Sequence, residues 1–424
     1  MIRRIALPAA LAAASVLAVS AAAPMRSTQD PPATFRSSTS LVEVDVVVKD
    51  GDGRFVSGLT ADDFEVLEEG KPQRIQHFYL VSEQPGAAGE LRADVVLPRS
   101  PDQTGRRVFL LLFDAQHLSA PIVARVKHAA MDFLNEHFRP MDLGGVYVNG
   151  TMWRGRMTSD RQELLDGVRS VSPEFESPAK RLAALAAFPR IPSEFDAVRI
   201  ERGDQRLAQT LAAENCTSEP NSCLEEGGRE YVEDRIDTKA KTYVTEARRA
   251  AALTIDSIRH VARNLARLEG RKTVVLISEG FFTQDLRSEL PQIAGQAARA
   301  GITLYTLNAR GTQAAGGRIL PDASVPRGTI STLGDTSEEG LDVLAAETGG
   351  LAFRRTDNFG GALSSIAADT STYYVLAYSP ENTTLDGTFR RIALQSKWKG
   401  LTLRARRGYV ATPLPPPRAI RTAR

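Results

Sequence analysis

The 424-residue chain predicts an α/β protein, a doubly wound parallel sheet joined to a small accessory β domain built from the N- and C-terminal segments. Three observations predict this. The runs VFLLLFDA (108–115), KTVVLISEG (272–280) and ITLYTLNAR (302–310) are continuously apolar, as strands covered on both faces are. Segments with helical spacing separate them, and strands alternating with helices mean a parallel sheet with helices on both faces. Two-residue alternation is confined to the ends, as in Val42, Val44, Val46 and Val48.

The elements follow in order. The start, MIRRIALPAALAAASVLAVSAAA, carries Arg3 and Arg4, an apolar stretch and then small residues. That is the order of a secretory signal (1–23) cleaved near Ala21–Ala23, with an uncleaved membrane anchor as the alternative. Residues 24–37 read as a linker. An N-terminal β unit spans 38–81, with strands around the turn DGDG and within FEVLEEGKPQRIQHF. A Gly-, Pro- and charge-rich stretch at 82–104 makes a second linker. The α/β domain spans 105–372. Within it PIVARVKHAAMDFLNEHF reads as a helix, LGGVYVNG and MWRGRMT as strands, and DRQELLDGVRSV as a helix capped by Ser159 or Asp160. Residues 171–228 give no strand signal and read as an insertion. Helical spacing resumes from Tyr231 through Tyr243, Ala247, Ala251, Ile255 and Ile258 to Leu268. LPQIAGQAARAG is a helix ending at Gly301, and a polar loop of about twenty residues follows Arg310. Then come the helix EEGLDVLAAETGG, the strand LAFRR and the helix NFGGALSSIAADTS. A C-terminal β segment (373–411) and a disordered tail (412–424) complete the chain.

Composition bounds the function. The chain is 42% hydrophobic and 25% charged, and its length calls for a main domain plus a smaller one. Its formal charge of +2 falls to zero without residues 1–23, so nothing electrostatic points to nucleic acid. Cys216 and Cys223 are the only cysteines. In an oxidising compartment their short separation reads as a local disulfide, and two thiols without a nearby His make no zinc site. The five histidines form no HExxH pair, and neither a GxSxG elbow nor a phosphate loop is present. Asp50 and Asp52 in KDGDGR suggest a calcium loop, but Arg54 holds the third acidic position and a hairpin turn is the better reading.

Asp114 is the residue most in need of explanation. An apolar strand ends on it, and loops at the carboxyl ends of such strands line the ligand crevice of open α/β sheets. The alternative is that Asp114 caps the next helix. Taken in order, the DxxxxS after the first strand, GRKTVVLISEGF, LYTLNARG, TGGLAF and YYVLAYSP…GTFRRI…LRARRGYVA resemble the von Willebrand factor A-related family of secreted bacterial proteins. The leading VDVVVKDGDGRFVSGLTADDFEVLEEGKPQ resembles the β segment preceding the A-type domain there. The resemblance covers most of 38–411.

What the resemblance implies is a doubly wound domain with a metal above the first strand. That metal would be held by an Asp-x-Ser-x-Ser loop, a Thr from a second loop and an Asp from a third. Mg²⁺ wants six oxygens in near-octahedral order. Asp114 matches the first position, but Gln116 and Leu118 replace the two serines, and Ser119 comes one place late. Ser278, Glu279 and Gly280 stand in for Thr-Asp-Gly, so Ser278 and Glu279 are the remaining metal candidates. Thr254 is a loose candidate for the missing threonine. The expectation is a degenerate metal site, no cofactor beyond weakly held Mg²⁺, and partner binding by Asp114, Gln116, His117 and Ser119. The leading function is a secreted or periplasmic protein–protein interaction module, not an enzyme, with no membrane span once the signal is removed. A metal-assisted hydrolase using Asp114, His117 and Glu279 is one alternative. A self-assembling structural envelope protein is the other.

Overall fold

A computed structural model describes residues 41–82, 107–148, 150–173, 178–268, 270–310, 331–354 and 356–416, the side chains of 178, 179 and 331–338 excepted. The expected signal, both linkers (apart from Ser82), the polar loop after Arg310 and the last eight residues of the tail lie outside the described residues. In chain order, the first elements are β1 (Val42–Lys49), β2 (Phe64–Glu68), β3 (Lys71–Gln73) and β4 (Ile75–Ser82). The middle begins with β5 (Val108–Phe113), α1 (Ala120–His137), β6 (Leu143–Val148), β7 (Thr151–Met152) and α2 (Arg161–Arg169). Next come α3 (Pro178–Ala186), α4 (Glu194–Glu201), α5 (Gln205–Ser218), α6 (Pro220–Glu225) and α7 (Arg229–Leu265). Then follow β8 (Lys272–Ser278), α8 (Leu290–Arg299), β9 (Ile302–Asn308), α9 (Ser331–Thr348), β10 (Ala352–Phe353) and α10 (Phe359–Asp369). The chain closes with β11 (Thr372–Tyr378), β12 (Phe389–Ser396), β13 (Thr402–Ala405) and β14 (Gly408–Val410).

The fold is mixed α/β. A six-stranded sheet runs in the order β10-β9-β8-β5-β6-β7, parallel except where the short β7 returns antiparallel to β6. Every residue of β5, β8 and β9 is buried, which explains their unbroken apolar runs. Leu110, Leu112, Val274, Leu276 and Leu304 pack toward α7, α8 and α9. Their sequence neighbours Phe109, Leu111, Phe113, Val275 and Ile277 pack toward α1, α2 and α10. Alternate side chains of a strand leave opposite faces, so both faces are sealed by helices. Each such side chain contributes roughly 1.5–3 kcal/mol by its burial.

Two short strands depart from the sequence reading. MWRGRMT is not a strand beyond Met152, because a helical turn at Trp153–Gly155 with a positive φ at Arg154 breaks it. LAFRR keeps only the two residues of β10. The insertion at 171–228, which gives no strand signal, carries four helices among its described residues, of which α4 and α5 pack against α7. Tyr231, where the helical spacing begins, is 54% exposed. At α2 the cap is Asp160, whose carboxylate accepts from the N–H groups of Gln162 and Glu163. No helix among the described residues is long and apolar enough to cross a membrane.

Strands from the two ends of the chain interleave in two four-stranded sheets, ordered β13-β1-β11-β4 and β14-β12-β2-β3. Among the described residues each end supplies four strands. Val44, Val46, Phe64, Val66, Tyr374 and Ile392 share one core, with Phe55 packed against it. Phe389, by contrast, lies against Gly295 of α8. Glu68 ties the two sheets together, its Oε2 accepting from Tyr378 Oη at 2.6 Å and Tyr409 Oη at 3.1 Å.

Candidate functional site

The first strand ends at Asp114 because its backbone leaves the extended region there, at φ −84° and ψ 73°. Its N–H still completes the ladder, donating to Ile277 O at 3.0 Å, and a tight turn follows in which His117 N donates to Asp114 O at 2.8 Å. The carboxylate does not cap a helix. Three side chains from three elements converge on it instead. Thr254 Oγ1 of α7 donates to Oδ1 at 2.8 Å. Ser278 Oγ at the end of β8 donates to Oδ2 at 2.8 Å. His117 Nδ1 lies 3.0 Å from Oδ2 and 3.2 Å from Oδ1. A carboxylate only accepts, so Nδ1 carries the proton.

Local geometry fixes each of these groups. Gly280 adopts a φ of +90°, a conformation open to glycine at little cost. Its N–H folds back to donate to Ser278 Oγ at 3.0 Å, leaving the serine proton for Asp114. Thr254 comes from a helix, not from the loop expected for a threonine ligand. It sits on the stripe Ala247–Ala251–Thr254–Ile258, so α7 carries a hydroxyl into an otherwise apolar face. A polar residue on a buried stripe was the readable signal for it.

Glu279 belongs to a separate cluster. Its Oε1 accepts from Ser119 N at 2.7 Å and Ser119 Oγ at 2.6 Å, which places a carboxylate at the N-terminus of α1, where the helix dipole favours it. The two clusters meet through the backbone, Glu279 N donating to His117 O at 2.9 Å. Leu118 is fully buried in the sheet–helix core. Of the four residues expected to meet a partner, Asp114 and His117 are 6% and 1% exposed, so Gln116 and Ser119 are the two that reach the surface.

The residues present do not fit a hard cation. Mg²⁺ needs several oxygens with free lone pairs converging on one point. The oxygens of Asp114 already accept from Thr254, Ser278 and His117, and the place between Thr254 and the carboxylate is taken by the imidazole. His117 Nδ1 is 3.2 Å from Thr254 Oγ1. Glu279 is turned to Ser119. Among the described residues no group of three or more His, Cys, Asp and Glu side chains is arranged for a metal.

On the far side of the His117 ring the helical insertion supplies groups that the sequence reading missed. Glu194 of α4 is buried, and its Oε2 accepts from Tyr243 Oη of α7 at 2.8 Å. Burial pushes the Glu194 carboxyl above its ordinary range, and burial with the adjacent Glu194 raises the Tyr243 phenol. Nothing in the order of residues joins Glu194 to His117, because only the packing of α4 on α7 brings them close. Farther along the insertion, Cys216 and Cys223 form a disulfide with Cα atoms 5.0 Å apart, linking α5 to α6.

No family model and no curated protein matches this chain. Among solved structures it is similar to an aerotolerance-related membrane protein from Bacteroides fragilis NCTC 9343 carrying multiple mutations to serine. The TM-score is 0.33 at 14% identity, over 62% of this chain and 98% of that one. It is also similar to the conserved hypothetical protein BatB from Bacteroides thetaiotaomicron, with a TM-score of 0.34 at 13% identity, over 63% of this chain and 98% of that one.

Proposed function

We propose that this chain is an exported protein–protein interaction module with a doubly wound, von Willebrand factor A-like domain, whose binding face surrounds the turn between β5 and α1 and works without a resident metal. The observation that carries this reading is the state of Asp114. Its carboxylate is buried and saturated by Thr254, Ser278 and His117, so it acts as a peg holding the turn in shape. The turn then presents Gln116 and Ser119 to solvent at the carboxyl edge of the parallel sheet, where such folds place ligands. A rigid loop loses little conformational freedom on binding, which favours recognition.

Cross-linking mass spectrometry on intact cells tests the reading. Cross-links from another protein should map to the rim around Gln116 and Ser119, and capture of that protein should be unchanged by EDTA. Cross-links confined to the accessory β-sheets, or capture abolished by chelation, would rule the proposed face or its metal independence out.

A further inference from the structure

Residues of β1 and β13 and the amino ends of β8 and β9 enclose a cavity of about 50 Å³, lined among others by Glu43, Asp45, Arg271, Thr303, Arg404 and Arg406. That is room for about four water-sized groups. Arg271 is the residue that needs explaining here. Its side chain is 7% exposed and its guanidinium lies over the Tyr373 ring at 4.4 Å. Nη2 donates to Tyr305 Oη at 3.0 Å, while Nε and Nη1 are buried with no hydrogen-bond acceptor. Asp45 Oδ2 stands 3.6 Å from Nε, near enough to balance the charge but beyond hydrogen-bond reach. Arg406 Nε is a third buried donor without an acceptor, and the rest of that guanidinium is held by the carbonyls of Ala298 and Glu43. Arg404 is committed to Asp369 and to the Gly349 carbonyl.

Hydrogen-bond polarity selects the guest. Native interiors seldom leave N–H donors unpaired, and guanidinium groups only donate. The guest must therefore bring acceptor oxygens, and neither a cation nor an apolar group can answer the three nitrogens. Several oxygens on one centre suit the planar fork of an arginine, as phosphate does. The carboxylates of Glu43 and Asp45 in the same lining narrow the class further. They repel a bare oxyanion, but a carboxylate has room to accept from an oxyanion that carries its own proton. We infer that this cavity binds a phosphate group that retains a proton, its bare oxygens accepting from Arg271 and Arg406 and its P–OH donating to Asp45. The cavity lies at the end of the parallel sheet opposite the rim around Gln116, so the two sites stand or fall separately. The phosphate belongs either to the free ion or to a monoester whose remainder passes the exposed Glu43.

Calorimetry on the full-length protein tests this with sodium phosphate, sodium sulfate at equal ionic strength and O-phosphoserine. The titrations run at pH ~6, where a phosphate monoester still holds a proton on about half of its molecules. Phosphate should bind saturably, with dissociation about millimolar or tighter. Sulfate has no proton to give and should bind at least about tenfold more weakly. Arg271→Lys keeps the charge but loses the fork, and should weaken phosphate about tenfold or more with the circular dichroism spectrum unchanged. Asp45→Asn offers an amide that can donate, and should narrow the gap between phosphate and sulfate. Saturation by phosphoserine at lower concentration than phosphate assigns the site to a monoester, and equal, weaker or no binding of phosphoserine assigns it to the free ion. No saturable binding of phosphate, equal binding of sulfate, undiminished phosphate binding in a folded Arg271→Lys protein, or an unchanged gap in Asp45→Asn would overturn the site. Should either variant fail to fold, the phosphate–sulfate contrast in the unaltered chain still decides.

Discussion

At the scale of single residues, His117 governs what Asp114 can do. The imidazole stands where the hydroxyls of Thr254 and Ser278 and the carboxylate of Asp114 converge. His117→Ala should therefore gain divalent-cation affinity. The unaltered chain should bind Mg²⁺ or Mn²⁺ no tighter than about millimolar, and the variant about tenfold tighter, a change of ~1.4 kcal/mol. Calorimetry with Mn²⁺ checks this, and a loss of affinity in the variant would show the ring to be a ligand instead of an obstruction. Glu194 yields a prediction with a defined pH sense. Its folded pKa lies above the ordinary value of 4.5 because burial disfavours the charge. The folded state then holds more protons between the two values, so stability is greatest below the ordinary pKa and falls as pH rises through the folded one. Glu194→Gln should remove that slope, and the variant should be the more stable at neutral pH, with the advantage gone below pH ~4.5 in urea titrations. A parallel pH profile for both proteins would count against it. Asp114 was legible because an acid ending an apolar run is conspicuous. Glu194 was not, because its meaning depends on contacts between α4, α7 and the β5–α1 turn that no spacing encodes.

At the scale of elements, the buried strands were readable because each is apolar on both sides, while edge pieces such as β10 depend on what their neighbours permit. Gly350 shows why TGGLAF reads as it does. A Cβ there would lie 1.8 Å from Leu304 O, since Leu304 N donates to Thr348 Oγ1 at 2.9 Å and draws the end of α9 onto β9. Gly350→Ala should cost about 1–3 kcal/mol or more, as overpacking against backbone cannot be relieved by a rotamer change. A Cβ on Gly360 in α10 would meet only Asn358 Oδ1, at 4.0 Å, so Gly360→Ala should be neutral or stabilise by up to about 1 kcal/mol. Denaturant midpoints of the two variants moving in the same direction would contradict this reading of the clash. The Cys216–Cys223 bond closes a loop of about eight residues, for which chain entropy gives roughly 2–3 kcal/mol. Reduction should lower the stability of α5 and α6 by no more than that. Hydrogen exchange in those helices measures it, and an unchanged exchange rate would mean that packing on α7 already holds them.

At the scale of the whole molecule, the two ends of the chain are joined by pairing that alternation alone could suggest but not register. β1 lies between β11 and β13, so that Val46 faces Tyr374 on one side and Ala405 on the other. β4 pairs with β11 from Thr372↔Ser82 to Tyr378↔Ile75, and the β2–β3 hairpin reaches the rest of its sheet through β12. Deleting residues 373–411 therefore strips β1 of both neighbours, β4 of its one partner in that sheet and β2 of the strand opposite β3. A hairpin alone is marginal in water, and the unpaired edges left behind would be open to protease and to other chains. The six-stranded sheet shares no ladder with these strands, so its own protection should survive. Limited proteolysis of the truncated chain should thus cut within 42–82 at an early time while β5, β8 and β9 stay protected. Equal protection of 42–82 in the full and truncated chains would mean that the N-terminal strands fold by themselves, and that their alternation with the C-terminal ones is packing convenience rather than the source of their order.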